Sequence, residues 1–226
     1  MKYVFVDFEM ATFGKEFAEQ RRIWHQEIIE IGAVMLDESM TEVSSFKKYV
    51  KPEFARHISN KIYHLTGIDD YFLNGCNGFQ EEMEAFAEWC LSSGDDVTVY
   101  AWSESDLKQI QKEHELKGLI PSEKLSKIIA SWKDLQAEYD EAVHAPRATA
   151  LHKALASIGV DFSGKMHDAL DDSRNTAKIF VELSNPEEFQ KTVNYIHEYK
   201  ETQNCSVTLG DLFDFSKLNL DFSESA

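Results

Sequence analysis

Asp7 and Glu9 stand one residue apart inside an apolar run, YVFVDFEM at residues 3–10. In a β-strand, residues i and i+2 project to the same side, so the two carboxylates lie together while Val4, Val6 and Phe8 line the other side. Two ionised carboxylates that close repel each other. A shared cation is the simplest stabiliser, and a site built of oxygens alone selects Mg²⁺ or Mn²⁺. An exposed strand carrying ordinary surface acids has the same D-x-E spelling, so the pair does not stand as a site by itself.

Two further places carry candidate groups. In HDALDDSRNTA, residues 167–177, His167 sits at the expected start of a helix. On a 3.6-residue period Asp172 shares a face with Asp168, Thr176 and Ile179, while Asp171 turns toward Asn175. Helix capping would also put a histidine and an acid there. Asp106 lies in SESDLKQI, directly after the strand-like VTVYAW. Strand-to-helix junctions are where α/β sheets place chemistry, although Ser103, Ser105 or Asp106 would equally serve as an N-cap.

The elements that must position these groups follow from periodicity. Residues 3–9, 27–36 and roughly 43–50 read as three strands rich in Val, Ile, Phe and Tyr, joined as an antiparallel meander with a break at DESM. FQEEMEAFAEWCLS has apolar residues at 79, 83, 86, 87 and 90, the spacing of an amphipathic helix, and DVTVYAW returns to strand. ESDLKQIQKEHELKG is a helix with a glycine stop, and KIIASW is expected to be another strand. RATALHKALASIG, HDALDDSRNTAKIFVELS and PEEFQKTVNYIHEYKE follow as helices, the last with Pro at its start. Three strands followed by alternating helices and strands predict a mixed sheet flanked by helices, an α/β fold.

In this order, D-x-E on the first strand, an Asp after a later strand and H-x-x-x-x-D on a late helix resemble the DEDDh 3′–5′ exonucleases of the RNase H-like fold. EIIEIGAV on the second strand, LTGI at 65–68 and LHKALASIGVDF before the last motif agree, and the resemblance covers about residues 3–183. VDFEMAT, LTGI and HDALDDSRNTA are similar to the branch of histone-mRNA and small-RNA 3′-end exonucleases and sporulation-inhibitor-type bacterial enzymes. The resemblance implies a mixed five-stranded sheet and a metal-dependent exonuclease acting on the 3′ ends of single-stranded RNA, releasing nucleoside 5′-monophosphates. It also implies that Asp7, Glu9 and Asp172 hold the metal that activates water, that Asp7 bridges to a second metal held by Asp106, and that His167 takes the proton from the attacking water. Two Mg²⁺ ions are expected, with Mn²⁺ able to substitute. Met10 would wedge against the terminal base, and the Ala11–Thr12 backbone would meet the 3′-hydroxyl. Phe13, Phe17 and Trp24 are left open between base stacking and core packing, and Arg174 between a phosphate and an acid. Trimming of DNA, an oligoribonuclease-like activity on short oligomers, and a catalytically silent nucleic-acid-binding module are the competing readings.

Composition adds limits. Asp plus Glu 40 against Lys plus Arg 23 gives a formal net charge of −17 across 226 residues, which repels a polyanion at long range. The balance reverses at 46–67, where Lys47, Lys48, Lys51, Arg56 and Lys61 face Glu53 alone; this is either a phosphate-contacting stripe or a solvated strand edge. No run approaches the roughly 20 apolar residues of a membrane span, and no signal pattern follows Met1, so no membrane association and a cytoplasmic location are expected. Cys76, Cys90 and Cys205 show no metal-ligand spacing and fit reduced thiols. Residues 1–203 are expected to form the exonuclease domain and 204–226 a tail that packs on the core or on a partner. Its Leu209, Leu212, Phe213, Phe215 and Phe222 make a homodimer plausible.

Overall fold

The computed structural model describes residues 1–92, 94 and 96–204. The tail expected at 204–226 lies, from Cys205 on, outside the described residues. Five strands form one sheet in the order β3-β2-β1-β4-β5: β1 Lys2–Thr12, β2 Gln26–Leu36, β3 Glu42–Tyr49, β4 Val97–Ala101 and β5 Trp132–Asp134. β1, β2 and β3 are the predicted antiparallel meander, and β4 and β5 add in parallel beyond β1. Helices α1 Gln20–Ile23, α2 Asn60–Thr66, α3 Asp70–Leu73 and α4 Phe79–Cys90 precede β4. After β4 come α5 Glu104–Lys117, α6 Glu123–Ala130, α7 Leu135–Ala142, α8 Leu151–Ser157, α9 Ala169–Leu183 and α10 Pro186–Asn204. No helix among the described residues is long and apolar enough to cross a membrane.

The stretch KIIASW is corrected. Its first four residues finish α6, and the strand is only the three residues from Trp132. Ser122 caps α6 by accepting from Leu125 N, and Leu125 and Ile128, one helical turn apart, both bury. Two isoleucines side by side favour a strand locally; a cap and an i, i+3 apolar pair override that preference.

Side-chain alternation sorts the central strands into two cores. Val4, Val6 and Phe8 of β1 join Ile31, Ala33 and Met35 of β2 under Met83 and Phe86 of α4. Phe5, Val34 and Leu36 point the other way, toward α8 and α9. Fully burying each such side chain contributes about 1.5–3 kcal/mol. The register slips between Glu9 and Met10, where Glu9 faces Glu30 but Met10 faces Ile28. Ile29 is the extra residue, so Ile28 and Ile31 both reach the first core while Glu30 stays on the side of Glu9.

Glycine at one position brings α9 onto the sheet. Gly32 lies opposite Asp7 in the β1–β2 register, and a Cβ there would stand 2.1 Å from Ala169 C and from Leu170 N. The first turn of α9 therefore rests on bare β2 backbone, which carries Asp172 down to Asp7. Gly32→Ala is expected to push α9 off the sheet, at the upper end of the roughly 1–3 kcal/mol of overpacking because the clash is with backbone. Both the thermal midpoint and turnover should fall; an alanine variant with the melting curve and turnover of the parent would refute this role.

A buried ionic cluster ties the start of β2 to its surroundings. The Glu27 carboxylate accepts from the backbone N–H of Glu53, Phe54 and Ala55 at 2.7–2.8 Å and pairs with Lys117 at 2.7 Å. Glu113 of α5 accepts from Ile28 N at 2.9 Å. These groups are paired and hydrogen-bonded, as charges in such a place must be.

Candidate active site

β1 delivers the first two acids on the face of the sheet against which α9 packs. Oxygens of Asp7, Glu9 and Asp172 all lie within 4.8 Å of one another. Asp106 falls outside that tight trio: it lies buried in the first turn of α5, where its Oδ1 accepts from Phe8 N at 3.3 Å. The N-cap of α5 is Ser103, which leaves the Asp106 carboxylate to face β1.

Burial, and after it like charge, raises the proton affinities of these acids. Burial, followed by the charges of Asp106, Asp172, Glu9 and Glu30, pushes the Asp7 carboxyl well above the usual carboxylate range. Burial, then Asp172 and Glu30, pushes Glu9 up to about 8. Burial pushes Asp106 up to about 7 against the pull of the Phe8 N–H. Asp172 is pushed to about 6 by burial, opposed by the N–H of His167.

The residues of HDALDDSRNTA divide the work of holding the loop that carries His167. Asp168 is the N-cap of α9 and accepts from Asp171 N. Asp171 accepts from Lys165 N at 2.9 Å, and Asn175 exchanges hydrogen bonds with Ser163 N and O at 3.1 and 2.8 Å. Asp172 accepts from His167 N at 2.9 Å. His167 thus precedes the cap rather than opening the helix, with φ at +63°, and its Nδ1 lies 3.9 Å from Glu9 Oε1. A left-handed backbone at a non-glycine residue is strained, and such strain gathers at functional sites.

The Exonuclease family (RNase_T) matches residues 4–180. The chain belongs to this exonuclease family. Rat 3′-5′ exoribonuclease 1 is 28% identical over 167 residues, 70% of this chain and 46% of that protein. The ERI1 exoribonuclease 2 of Xenopus laevis is 31% identical over 184 residues, 68% of this chain and 25% of that protein. The chain thus spans less than half the length of these two relatives. The nuclease domain of 3′hExo, a DEDDh member bound to rAMP, superposes with a TM-score of 0.69 at 24% identity, covering 80% of this chain and 90% of that one. E. coli Exonuclease I in complex with a dA16 oligonucleotide shares the fold at a TM-score of 0.57 and 17% identity, covering 84% of this chain and 42% of that one.

In this member of the exonuclease family the remaining predicted residues take different positions. Met10 is half-buried against the first core, and Ala11 is buried. Thr12 is exposed and lines a cavity of about 450 Å³ with Phe13, Phe17, Phe54 and Arg56. Phe13, Phe17 and Phe54 pack on one another at ring distances of 5.3–5.9 Å, and Trp24 Nε1 donates to Gln109 Oε1 at 2.6 Å. Phe13 and Phe17 thus take the packing role, beside Ala11 and Ile29, whereas half-exposed Trp24 is held by its hydrogen bond. Arg174 pairs with both oxygens of Glu42, so it resolves to an acid.

Sequence reading missed Glu30, Gly32 and the role of Lys47. Lys47 leaves the basic stretch for the interior: its ammonium lies 2.8 Å from Glu30 Oε1 and 2.5 Å from Asp168 Oδ2. It is a cation set against the flank of the acid cluster, joining the strand beside Glu9 to the cap beside His167. The available signal was Glu30 itself, an acid within the otherwise apolar IIEIGAV of a central strand.

Raised carboxyl pKa values make stability depend on pH. Unfolded carboxyls titrate near 4, so between about pH 4 and 8 the folded chain holds protons at Glu9, Asp106 and Asp172 that the unfolded chain has lost. Stability is therefore full below the unfolded values and is lost as pH rises through the folded ones. In chelator, the thermal midpoint is expected to fall from roughly pH 5.5 to roughly pH 8. A divalent cation should raise it more at the higher pH, because it replaces those protons. A chelated midpoint that climbs over this range would contradict the reading.

Proposed function

We propose that the chain is a metal-dependent 3′–5′ exonuclease that releases nucleoside 5′-monophosphates from the 3′ ends of single-stranded RNA. The observation that carries it is the meeting of Asp7, Glu9 and Asp172 within 4.8 Å beneath His167. That donor set fits a hard divalent cation: it offers oxygens alone, from three carboxylates crowded within 4.8 Å. Asp7, Glu9 and Asp172 would hold one Mg²⁺, and Asp7 with Asp106 a second, with Mn²⁺ able to replace them. When bound, the metal lowers the pKa of water to make a nucleophile at neutral pH and neutralises charge on the phosphate.

The chain's own groups supply the rest. His167 takes the proton of the attacking water on the imidazole that faces Glu9, and the hydrogen bond from its N–H to Asp172 fixes where that ring starts. Asp106 stays behind Asp7, its Oδ1 held by Phe8 N–H. Met10, Ala11 and Thr12 follow Glu9 on the same strand, so a terminal nucleotide lying along them would present its last phosphodiester to the acids.

RNA is favoured over DNA because the relatives at 28 and 31% identity are named exoribonucleases. The DNA reading keeps one support, the fold shared with an enzyme seen with a dA16 oligonucleotide. The test is to incubate 5′-labelled RNA and DNA of one sequence with Mg²⁺, Mn²⁺ or chelator. RNA should shorten faster than DNA, and chelator should stop both; faster loss of DNA would transfer the assignment, and inertness toward both would remove it.

A further inference from the structure

The basic stretch at 46–67 is only partly explained by Lys47, and what remains borders an unusual surface. Tyr63 of α2 is 46% exposed, and Tyr71 and Phe72 of α3 are 91% and 49% exposed. Among the described residues the other Phe, Tyr or Trp ring this open to solvent is Tyr195 of α10, at 66%, so these three stand out by lying together. Tyr63 and Tyr71 line one cavity of about 360 Å³ with Asn60 between the two helices. Lys51, Arg56 and Lys61 are exposed along the same segment, with Lys51 Nζ donating to Asn74 O just past α3. Asp69 and Asp70 share the lining of that cavity, each turned to backbone: Asp69 accepts from Phe72 N at 2.8 Å, and Asp70 accepts from Ile58 N at 2.6 Å and contacts His57.

This surface joins the candidate active site along two routes. The edge of Phe72 meets Tyr49 at 4.8 Å, Lys47 stands 5.6 Å over the Tyr49 ring, and Lys47 binds Asp168 beside His167. From the other side, Lys165 Nζ donates to Thr66 O at 2.8 Å, fastening the end of α2 to the loop before His167. We propose that α2 and α3 form a stacking platform for single-stranded nucleic acid 5′ of the bond being cut, Tyr63 and Tyr71 taking bases and Lys51 and Lys61 taking phosphates. The proposal rests on the exonuclease reading for its direction. Aromatic rings beside cations are what non-sequence-specific strand binding requires, and they give an acidic protein a local hold on a polyanion. A protein partner would use the rings but has no need of the cations around them.

The experiment compares the full chain with its Tyr63→Ala/Tyr71→Ala double variant. Both substitutions are at exposed sites, and melting curves confirm the fold. Steady-state turnover is measured on dinucleotide RNA and on RNA of about 12 nucleotides, and binding of the longer strand by anisotropy in chelator. Loss of stacking should weaken the longer strand about tenfold or more. It should also lower the ratio of kcat/KM for the long strand over the dinucleotide by a similar factor, through KM. Lys51→Gln/Lys61→Gln should flatten the fall of affinity with salt by roughly 0.7 logarithmic units for each phosphate that is no longer neutralised. Unchanged affinity and an unchanged ratio in the tyrosine variant would overturn the platform. So would a change of oligomeric state in light scattering with RNA affinity intact, which would make the surface a protein interface. If the parent hydrolyses neither RNA, the exonuclease reading fails by itself, and the anisotropy arm still decides whether these rings bind strands.

Discussion

Asp7→Ala, Glu9→Ala and Asp172→Ala each take RNA turnover down by roughly 10³-fold or more, because groups that act as one unit fail together. The same substitutions should leave the fold intact. Asp7, Glu9 and Asp172 crowd within 4.8 Å with their carboxyls pushed up by burial and mutual repulsion, so deleting one relieves the others. The metal-free thermal midpoint at about pH 8 should therefore stay level or rise, while the added stability conferred by Mg²⁺ disappears. Activity and stability moving in opposite directions is the signature of a ligand cluster. A variant of any of the three that is less stable in chelator yet keeps near-parental turnover would show a structural role instead.

His167→Ala lowers kcat by about 10²–10⁴-fold, the usual contribution of a general base, and leaves the Mg²⁺-dependent rise in thermal midpoint in place because the acids remain. His167→Gly gives a second reading from the same position. The residue holds φ at +63°, a conformation that costs an L-residue roughly 1–2 kcal/mol and glycine little. The glycine variant should melt at or above the alanine variant while showing the same loss of kcat. If histidine were there only to start α9, glycine would retain turnover, since the cap is Asp168 and the hydrogen bond to Asp172 comes from the backbone.

The strand D-x-E, the meander and the late helix were legible because each depends on local period: alternation put Asp7 with Glu9, and the 3.6-residue turn separated Asp172 from Asp171. Approach between distant segments was not legible. Gly32 reads as an ordinary glycine in a strand until α9 is seen resting on it, and Lys47 reads as part of a basic stripe until its partners Glu30 and Asp168 are in place. Short helices were also hidden. α2 and α3 are capped by Ser59 and Asp69, and α2 stops at Gly67 in the left-handed region, but neither is long enough to show a periodic face. KIIASW failed for a related reason, since two adjacent isoleucines outweigh a cap five residues upstream when only propensity is read.

Attack at the 3′ end is tested by following one single-stranded RNA, labelled at its 5′ end, with either a free 3′-hydroxyl or a 3′-phosphate, in Mg²⁺. A terminal nucleotide seated along Met10, Ala11 and Thr12 beside crowded carboxylates leaves no place for another anion. The hydroxyl strand should give a ladder shortening from its 3′ end, with nucleoside 5′-monophosphates as the released product, and the phosphate-blocked strand should stay whole. Internal fragments, or equal digestion of the blocked strand, would contradict an exonuclease acting at these residues.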